Sequence, residues 1–390
     1  MDAVRNPYGP GAGTPPPELS GRARILNEAG IGLERTFGGR SHKSAILVGL
    51  RGVGKTVLLN RIDDAAQALG FRTALIEVPE DRPLPQLLVP ALRRILLALD
   101  RMEELSEAVK RALRVLRSFV GRFSVKMGEV ELGLGIDPEK GTADSGDLDV
   151  DLTQLLVAVG EAARSRGLGV ALIFDELQYL DRHEFAALIV ALHRCAQLNL
   201  PLILFGAGLP TVRGIAGRAK SYAERLFDYP TVGPLSAADV ADALQKPAMR
   251  EGVRFSDEAL QLIQALTQGY PYFVQEWAYQ SWNAAPRSPI GAGDVQRATE
   301  VALERLDESF FRVRFDRLTS AEKRYLRAMA ALGPGPYRSS DVATVYGAKT
   351  TSVAPIRGKL IAKGMIYSPA YGDAAFTVPL FDEFMIRATS

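Results

Sequence analysis

Cysteine occurs once in the 390 residues, as Cys195, so no intrachain disulfide can form. It follows an apolar-periodic run, Phe185 to Leu192, where a buried helix thiol is the expected role. Such sparing use of cysteine fits a reducing compartment. The opening residues, Met1-Asp2-Ala3-Val4-Arg5-Asn6-Pro7, contain no apolar signal stretch. No uncharged apolar run approaches the ~20 residues of a membrane span. A soluble, cytoplasmic protein with no membrane partner is therefore expected. An excess of one charge is also missing: 47 basic residues face 45 acidic ones. That excludes a bulk polycation coating nucleic acid and leaves room only for a local basic face. Short internal repeats are absent too. What remains is ordinary globular composition, 47% hydrophobic and 24% charged, at a length suited to two or three domains.

Residues 1–20 are rich in Pro and Gly and predict an extended arm, followed by an amphipathic helix from about Arg22 to Phe37. Four apolar runs then read as strands: Ser44 to Val48, Thr73 to Val78, Gly169 to Phe174 and Leu202 to Phe205. A weaker fifth is expected near Tyr229 to Val232. Continuous apolar runs separated by helical patterns point to a parallel sheet covered on both faces. The region 100–150 breaks the alternation and reads as an insertion. Residues 102–119 have helical spacing with Lys110, Arg111, Arg114 and Arg117; 123–136 alternate like a hairpin; Asp137 to Asp151 look like an exposed acidic loop. After Pro234 the chain turns helical, with Ser236 and Ser256 as helix caps and Gly269 as a stop. From Leu318, three helices and a hairpin around Gly372-Asp373 suggest a winged helix.

The predicted fold class is α/β: a five-stranded parallel sheet, then an all-α lid and a C-terminal winged helix. The expected divisions are 1–40 (arm and first helix), 41–233 (nucleotide-binding domain), 234–315 (lid) and 316–390 (winged helix).

The chemistry concentrates at Gly49-Leu50-Arg51-Gly52-Val53-Gly54-Lys55-Thr56, between an apolar strand and a helix. This is a P-loop. Gly49, Gly52 and Gly54 let the backbone curl so that N–H groups, including those of Val53 and Val57, face phosphate at a helix N-terminus. Lys55 is expected to reach the β- and γ-phosphates of ATP, and Thr56 to ligate Mg²⁺. Leu172-Ile173-Phe174-Asp175-Glu176 delivers a second acidic element from a buried strand. Asp175 would hold the Mg²⁺ shell, and Glu176 would act as general base toward the attacking water. The bland alternative is an acidic pair at a helix N-terminus. Arg225, before the fifth strand, stands where an arginine finger would reach a neighbouring subunit's γ-phosphate; local pairing with Glu224 or Asp228 is the alternative, and Arg218 or Lys220 are rivals.

Together with Leu19-Ser20-Gly21-Arg22 and Gly269-Tyr270-Pro271, these motifs resemble AAA+ ATPases of the origin-recognition and archaeal-ATPase type, adjoining the STAND signalling ATPases. The resemblance runs from about Leu19 to the end. It implies that Arg22 helps hold the adenine and that Pro271 contacts the nucleotide. The stretches Gly206 to Pro210 and Phe376 to Phe381 look most like a bacterial group of ATP-binding proteins related to those ATPases. Two departures stand out. The family usually carries a polar side chain after the fourth strand, whereas Phe205-Gly206-Ala207-Gly208-Leu209-Pro210 offers none before Thr211. The lid also lacks an arginine at the start of its third helix. The first departure implies slow intrinsic ATP turnover.

In the C-terminal region the third helix buries Val353, Ile356, Leu360 and Ile361 and leaves Lys349, Thr351, Arg357 and Lys359 as candidate DNA contacts. Residues 316–390 carry ten basic and six acidic groups, a moderate bias toward phosphate. Two outputs follow. One is an ATPase that uses its nucleotide state, ATP or ADP, to control assembly on double-stranded DNA. The other is a signalling switch whose winged helix grips the lid or a protein partner. A homo-oligomer is the further candidate assembly.

Overall fold

The computed structural model describes every residue except 12, 101–104, 124–136, 221–222 and 389–390. The hairpin expected over 123–136 therefore lies outside the described residues, apart from Phe123. The chain packs as two units. One comprises Ala23–Val48 and Lys55–Thr231; the other comprises Met1–Arg22, Gly49–Gly54 and Val232–Ser390.

The first unit is the α/β layer structure. In chain order it contains α1 (Ala23–Phe37), β1 (Ser44–Val48), α2 (Lys55–Ala68), β2 (Phe71–Glu77), α3 (Leu84–Leu99), α4 (Glu107–Arg122) and α5 (Leu148–Ser165). There follow β3 (Gly169–Asp175), a single 3₁₀ turn (Leu177–Tyr179), α6 (Arg182–Gln197), β4 (Leu202–Gly208), α7 (Thr211–Ala219), α8 (Ala223–Leu226) and β5 (Phe227–Asp228). The strands form one sheet of order β2-β3-β4-β1-β5, parallel throughout. All seven residues of β3 are buried, as a central strand covered on both faces requires. This order sets the carboxyl ends of β3, β4 and β1 side by side, the place where open α/β sheets bind ligands. The core gathers Leu172, Phe174, Leu204 and Ile46 with Leu152, Phe185 and Phe119 from the helices. Cys195 is fully buried there, and burial pushes its thiol up to about 12.

Three expectations for this unit change. The fifth strand lies earlier than Tyr229 to Val232: β1 pairs with Phe227 and Asp228, and only a lone bridge joins Val48 to Thr231. Pro230 has no N–H to extend the ladder, though its carbonyl accepts from Val48 N–H at 2.9 Å. The basic helix begins only at Glu107, after the Ser106 cap, and belongs to the core through Val109, Leu113 and Leu116. The acidic stretch is not an exposed loop to its end. Asp151 is fully buried and accepts from Ser145 N–H, Ser145 Oγ and Gly146 N–H at 3.1, 2.7 and 2.8 Å. Its charge closes the turn that starts α5, where the helix N-terminus favours an anion.

The second unit holds α9 (Ala237–Arg250), α10 (Asp257–Thr267), α11 (Pro271–Ala284), α12 (Ala292–Arg305), a π-helical turn (Leu306–Phe311) and α13 (Arg312–Asp316). It continues with α14 (Ser320–Ala330), β6 (Tyr337–Arg338), α15 (Ser339–Tyr346), α16 (Thr350–Ala362), β7 (Ile366–Tyr367), β8 (Asp373–Phe376) and α17 (Phe381–Ala388). Antiparallel β6, β8 and β7 make a small sheet in that order. Pro355 does not interrupt α16, which runs through it. The lost N–H and ring crowding are outweighed by burial of Val353 and Leu360 on one face. The N-terminal arm is docked rather than loose. Tyr8 is buried with its hydroxyl donating to the Leu244 carbonyl, and Trp282 Nε1 donates to the Asp2 carbonyl at 2.8 Å.

Candidate nucleotide site

At the carboxyl end of β3, Asp175 is 8% exposed. Its Oδ2 accepts from Thr56 Oγ1 at 2.5 Å, and its Oδ1 accepts from the Glu176 N–H at 2.8 Å. Burial raises its pKa above the ordinary carboxylate value, and neighbouring Glu176 adds to that; the Thr56 hydrogen bond and Lys55 oppose it. Lys55 and Thr56 are the first two residues of α2, so the helix start fixes both. Lys55 is only 7% exposed. Val57 is also buried, which leaves its first-turn N–H rather than its side chain for a ligand.

Glu176 leaves the strand in the left-handed region, at φ 57° and ψ 38°. For a residue with a Cβ this conformation is strained, and such strain gathers at functional positions. Glu176 caps the start of the 3₁₀ turn. Gln178, which the sequence did not single out, donates its amide to Glu176 Oε2. The departure after β4 was the available signal, because it left a polar requirement unfilled.

The residues Gly49–Gly54 have their own contacts within the second unit. Gly52 and Gly54 take φ of 80° and 91°, and a Cβ on Gly49 would fall 2.2 Å from the Val232 carbonyl oxygen. Glycine is thus required by conformation at two positions and by close backbone approach at the third. Arg22 donates to the carbonyls of Val53 (3.2 Å) and Gly233 (2.6 Å). Burial lowers its pKa and Asp239 partly compensates. Arg22 therefore braces the loop's own backbone. Pro271 opens α11, and the next N–H, that of Tyr272, donates to the Gly52 carbonyl at 3.3 Å. The Arg51 N–H donates to the Thr377 carbonyl at 3.1 Å, a link to the C-terminal helices and sheet that no sequence motif announced.

The remaining candidates are distributed elsewhere. Arg225 is exposed on α8, while Asp228 pairs with Lys43 at 3.3 Å and Lys220 with Asp149 at 2.8 Å. On and beside α16, Lys349, Thr351 and Lys359 are exposed. Arg357 is spent internally, donating to Ser368 Oγ and the Asp373 carbonyl, each at 2.7 Å. Among the described residues, no cluster of three or more His, Cys, Asp or Glu could hold a metal alone. The Thr56–Asp175 oxygen pair is instead a partial set that suits a hard divalent cation sharing phosphate oxygens.

Residues 18–205 match the family described as "AAA ATPase domain", which spans the P-loop and the Asp175-Glu176 strand. Residues 18–205 form an AAA+ P-loop ATPase domain. Residues 308–385 match a family described as "Domain of unknown function (DUF8462)". Among solved structures, the Walker-type ATPase of Pyrococcus abyssi is similar over 94% of this chain and 96% of its own, at 17% identity and a TM-score of 0.60. That likeness extends the shared fold well beyond the matched domain. Cdc6p from Pyrobaculum aerophilum aligns over 100% and 99% of the two chains at 17% identity and a TM-score of 0.49. The Aeropyrum pernix Orc1 protein, solved in complex with DNA, aligns over 95% and 93% at 18% identity and 0.46. No functionally curated protein matches the sequence significantly. No described helix is long and apolar enough to cross a membrane.

Proposed function

We propose that this chain is an AAA+ ATPase that binds ATP with Mg²⁺, hydrolyses it slowly, and uses its nucleotide state to control association of its C-terminal domain with duplex DNA. The observation that carries the catalytic part is the hydrogen-bonded pair Thr56–Asp175 with Glu176 next in the chain. In this reading the N–H groups of Gly52 to Lys55 cradle the phosphates and the Lys55 ammonium offsets their charge. Thr56 and Asp175 would hold Mg²⁺, which supplies neutralisation of charge shared by the β- and γ-phosphates. Glu176 takes the proton of the attacking water. Arg225, exposed on α8, is offered as a finger to a second subunit.

For DNA, the C-terminal helices and three-stranded sheet are read as a winged helix with α16 in the groove. Lys349, Thr351 and Lys359 support this because they are exposed on and beside that helix. The internal bonds of Arg357 remove it from the contact set and give it the task of tying α16 to the hairpin.

A second reading has its own support. Arg51 N–H is engaged by Thr377, and Tyr272, whose N–H engages Gly52, stacks on Phe310 at 4.8 Å. Phe310 meets Phe311 edge-on, and Phe311 stacks on Phe384 of α17 at 5.3 Å. A P-loop linked in this way to the C-terminal domain suits a switch that releases or grips a protein partner as ATP replaces ADP.

Steady-state ATP hydrolysis with and without duplex DNA, with Glu176→Gln as the blank, separates the two. A Glu176-dependent rate raised several-fold by DNA, with salt-sensitive duplex binding weakened by Lys349→Ala and Lys359→Ala, supports the DNA reading. A rate indifferent to DNA, together with an ATP-dependent change in protease cleavage between 228 and 320, contradicts it and supports the switch.

A further inference from the structure

Strand β4 ends in Gly206, Ala207 and Gly208, with no polar side chain of its own beside the Glu176 carboxylate. The 3₁₀ turn after β3 lies over this tip. A Cβ on Gly206 would fall 2.3 Å from Leu177 Cδ1, and one on Gly208 would fall 3.0 Å from Gln178 Oε1. The two glycines therefore keep open the space that Leu177 and Gln178 occupy. Gln178 Oε1 accepts from the Leu209 N–H at 3.0 Å, and its amide nitrogen donates to Glu176 Oε2. The orientation of the amide follows from chemistry: a backbone N–H can only donate, so the oxygen faces Leu209 and the NH₂ faces the carboxylate. One side chain thus spans from the end of β4 to the carboxylate, with both its ends paired.

We propose that Gln178 is the positioning residue for Glu176, supplying from the 3₁₀ turn the polar group that the tip of β4 lacks. It touches the carboxylate rather than the reacting phosphate, and its role rests on the reading of Glu176 as the base for ATP hydrolysis. Only an amide performs it. Gln178→Glu keeps the length but loses the donor and sets a second carboxylate against the first. Gln178→Met keeps the volume and loses both hydrogen bonds.

The test is ATP turnover and binding of a fluorescent ATP analogue for the wild type, Gln178→Met and Gln178→Glu, each with Glu176 intact and as Glu176→Gln. With Glu176 present, kcat should fall about 10–100-fold in both variants, the loss expected for a hydrogen bond to a charged group. Analogue affinity should stay within about twofold, and with Glu176→Gln the Gln178 change should add less than about twofold. Hydrogen exchange at the Leu209 amide should quicken by about tenfold or more in Gln178→Met, a readout that needs no turnover. Full kcat in either variant, an equal loss without Glu176, or unchanged Leu209 exchange would each overturn the assignment. A wild-type rate no higher than that of Glu176→Gln would instead overturn the hydrolysis reading itself.

Discussion

Gly206→Ala places one methyl where the fold leaves no room for it. The new Cβ would sit 2.3 Å from Leu177 Cδ1 and 3.4 Å from Ile46 Cγ1. Carbon pairs are most favourable at about 3.5–4.0 Å, so Leu177 must retreat by more than about 1 Å. It is fully buried within the α/β core and has no solvent to swing into. Overpacking of this kind costs about 1–3 kcal/mol. Stiffening of the unfolded chain returns about 0.4–1 kcal/mol, because β-strand dihedrals suit alanine. A net destabilisation of about 1–2 kcal/mol is therefore expected in urea unfolding. Turnover should suffer more than stability, since Leu177 stands between Glu176 and Gln178 and moves both. A misplacement of about 1 Å can cost about 100-fold in rate. Gly217→Ala is the matched control: it lies in α7 with nothing within 4 Å of its added Cβ, and should stabilise by about 0.5–1 kcal/mol. If Gly206→Ala unfolds and turns over as the wild type does, the packing of the 3₁₀ turn on β4 is not what holds the carboxylate in place.

Mg²⁺ binding should be pH-dependent with a definite sign. The pKa of Asp175 is raised by burial, so without metal this group favours the fold at low pH and loses that contribution as pH rises through its folded value. Mg²⁺ needs the ionised form, so Mg²⁺·ATP affinity should weaken on acidification at a pH above the ordinary aspartate range, with proton uptake on release measurable by calorimetry in two buffers. Asp175→Asn should stabilise the metal-free protein at neutral pH while abolishing that linkage; a destabilised variant would refute the sign. Arg22→Ala strips the Val53 and Gly233 carbonyls of a charged donor and should cost about 1.5–3 kcal/mol in thermal unfolding, with weaker ATP binding; an unchanged melting temperature would contradict the bracing role. Cys195 should resist thiol reagents at pH 8 in the native protein and react fully in urea, since its thiol is buried and pushed up to about 12. Rapid native labelling would contradict that burial.

The sequence revealed the elements whose signal is local. The apolar runs before Gly49 and through Asp175 became strands of one parallel sheet, with β4 between them, because a doubly covered strand has to be apolar along its length. The P-loop was legible because its glycines serve backbone conformations that few other residues tolerate. Contacts with distant partners were hidden. Nothing near Asp151 shows that its carboxylate would be buried in a turn, and nothing near Gln178 shows that its amide oxygen would accept from the Leu209 N–H. Arg357 read as outward because helical spacing fixes a direction but not a partner, and Ser368 and Asp373 lie across a hairpin. The early end of the fifth strand follows from Pro230, whose effect on a ladder depends on which neighbour the strand pairs with.

Single-turnover hydrolysis of ATP bound to the protein in excess, wild type against Glu176→Gln, addresses the central claim most directly. The expected result is equal loading of both proteins, slow conversion to ADP in the wild type, and ATP retained in the variant, with Lys55→Ala binding neither nucleotide. Equal conversion in both proteins, or ATP retained in both, would contradict the assignment of Glu176 as the base at this P-loop.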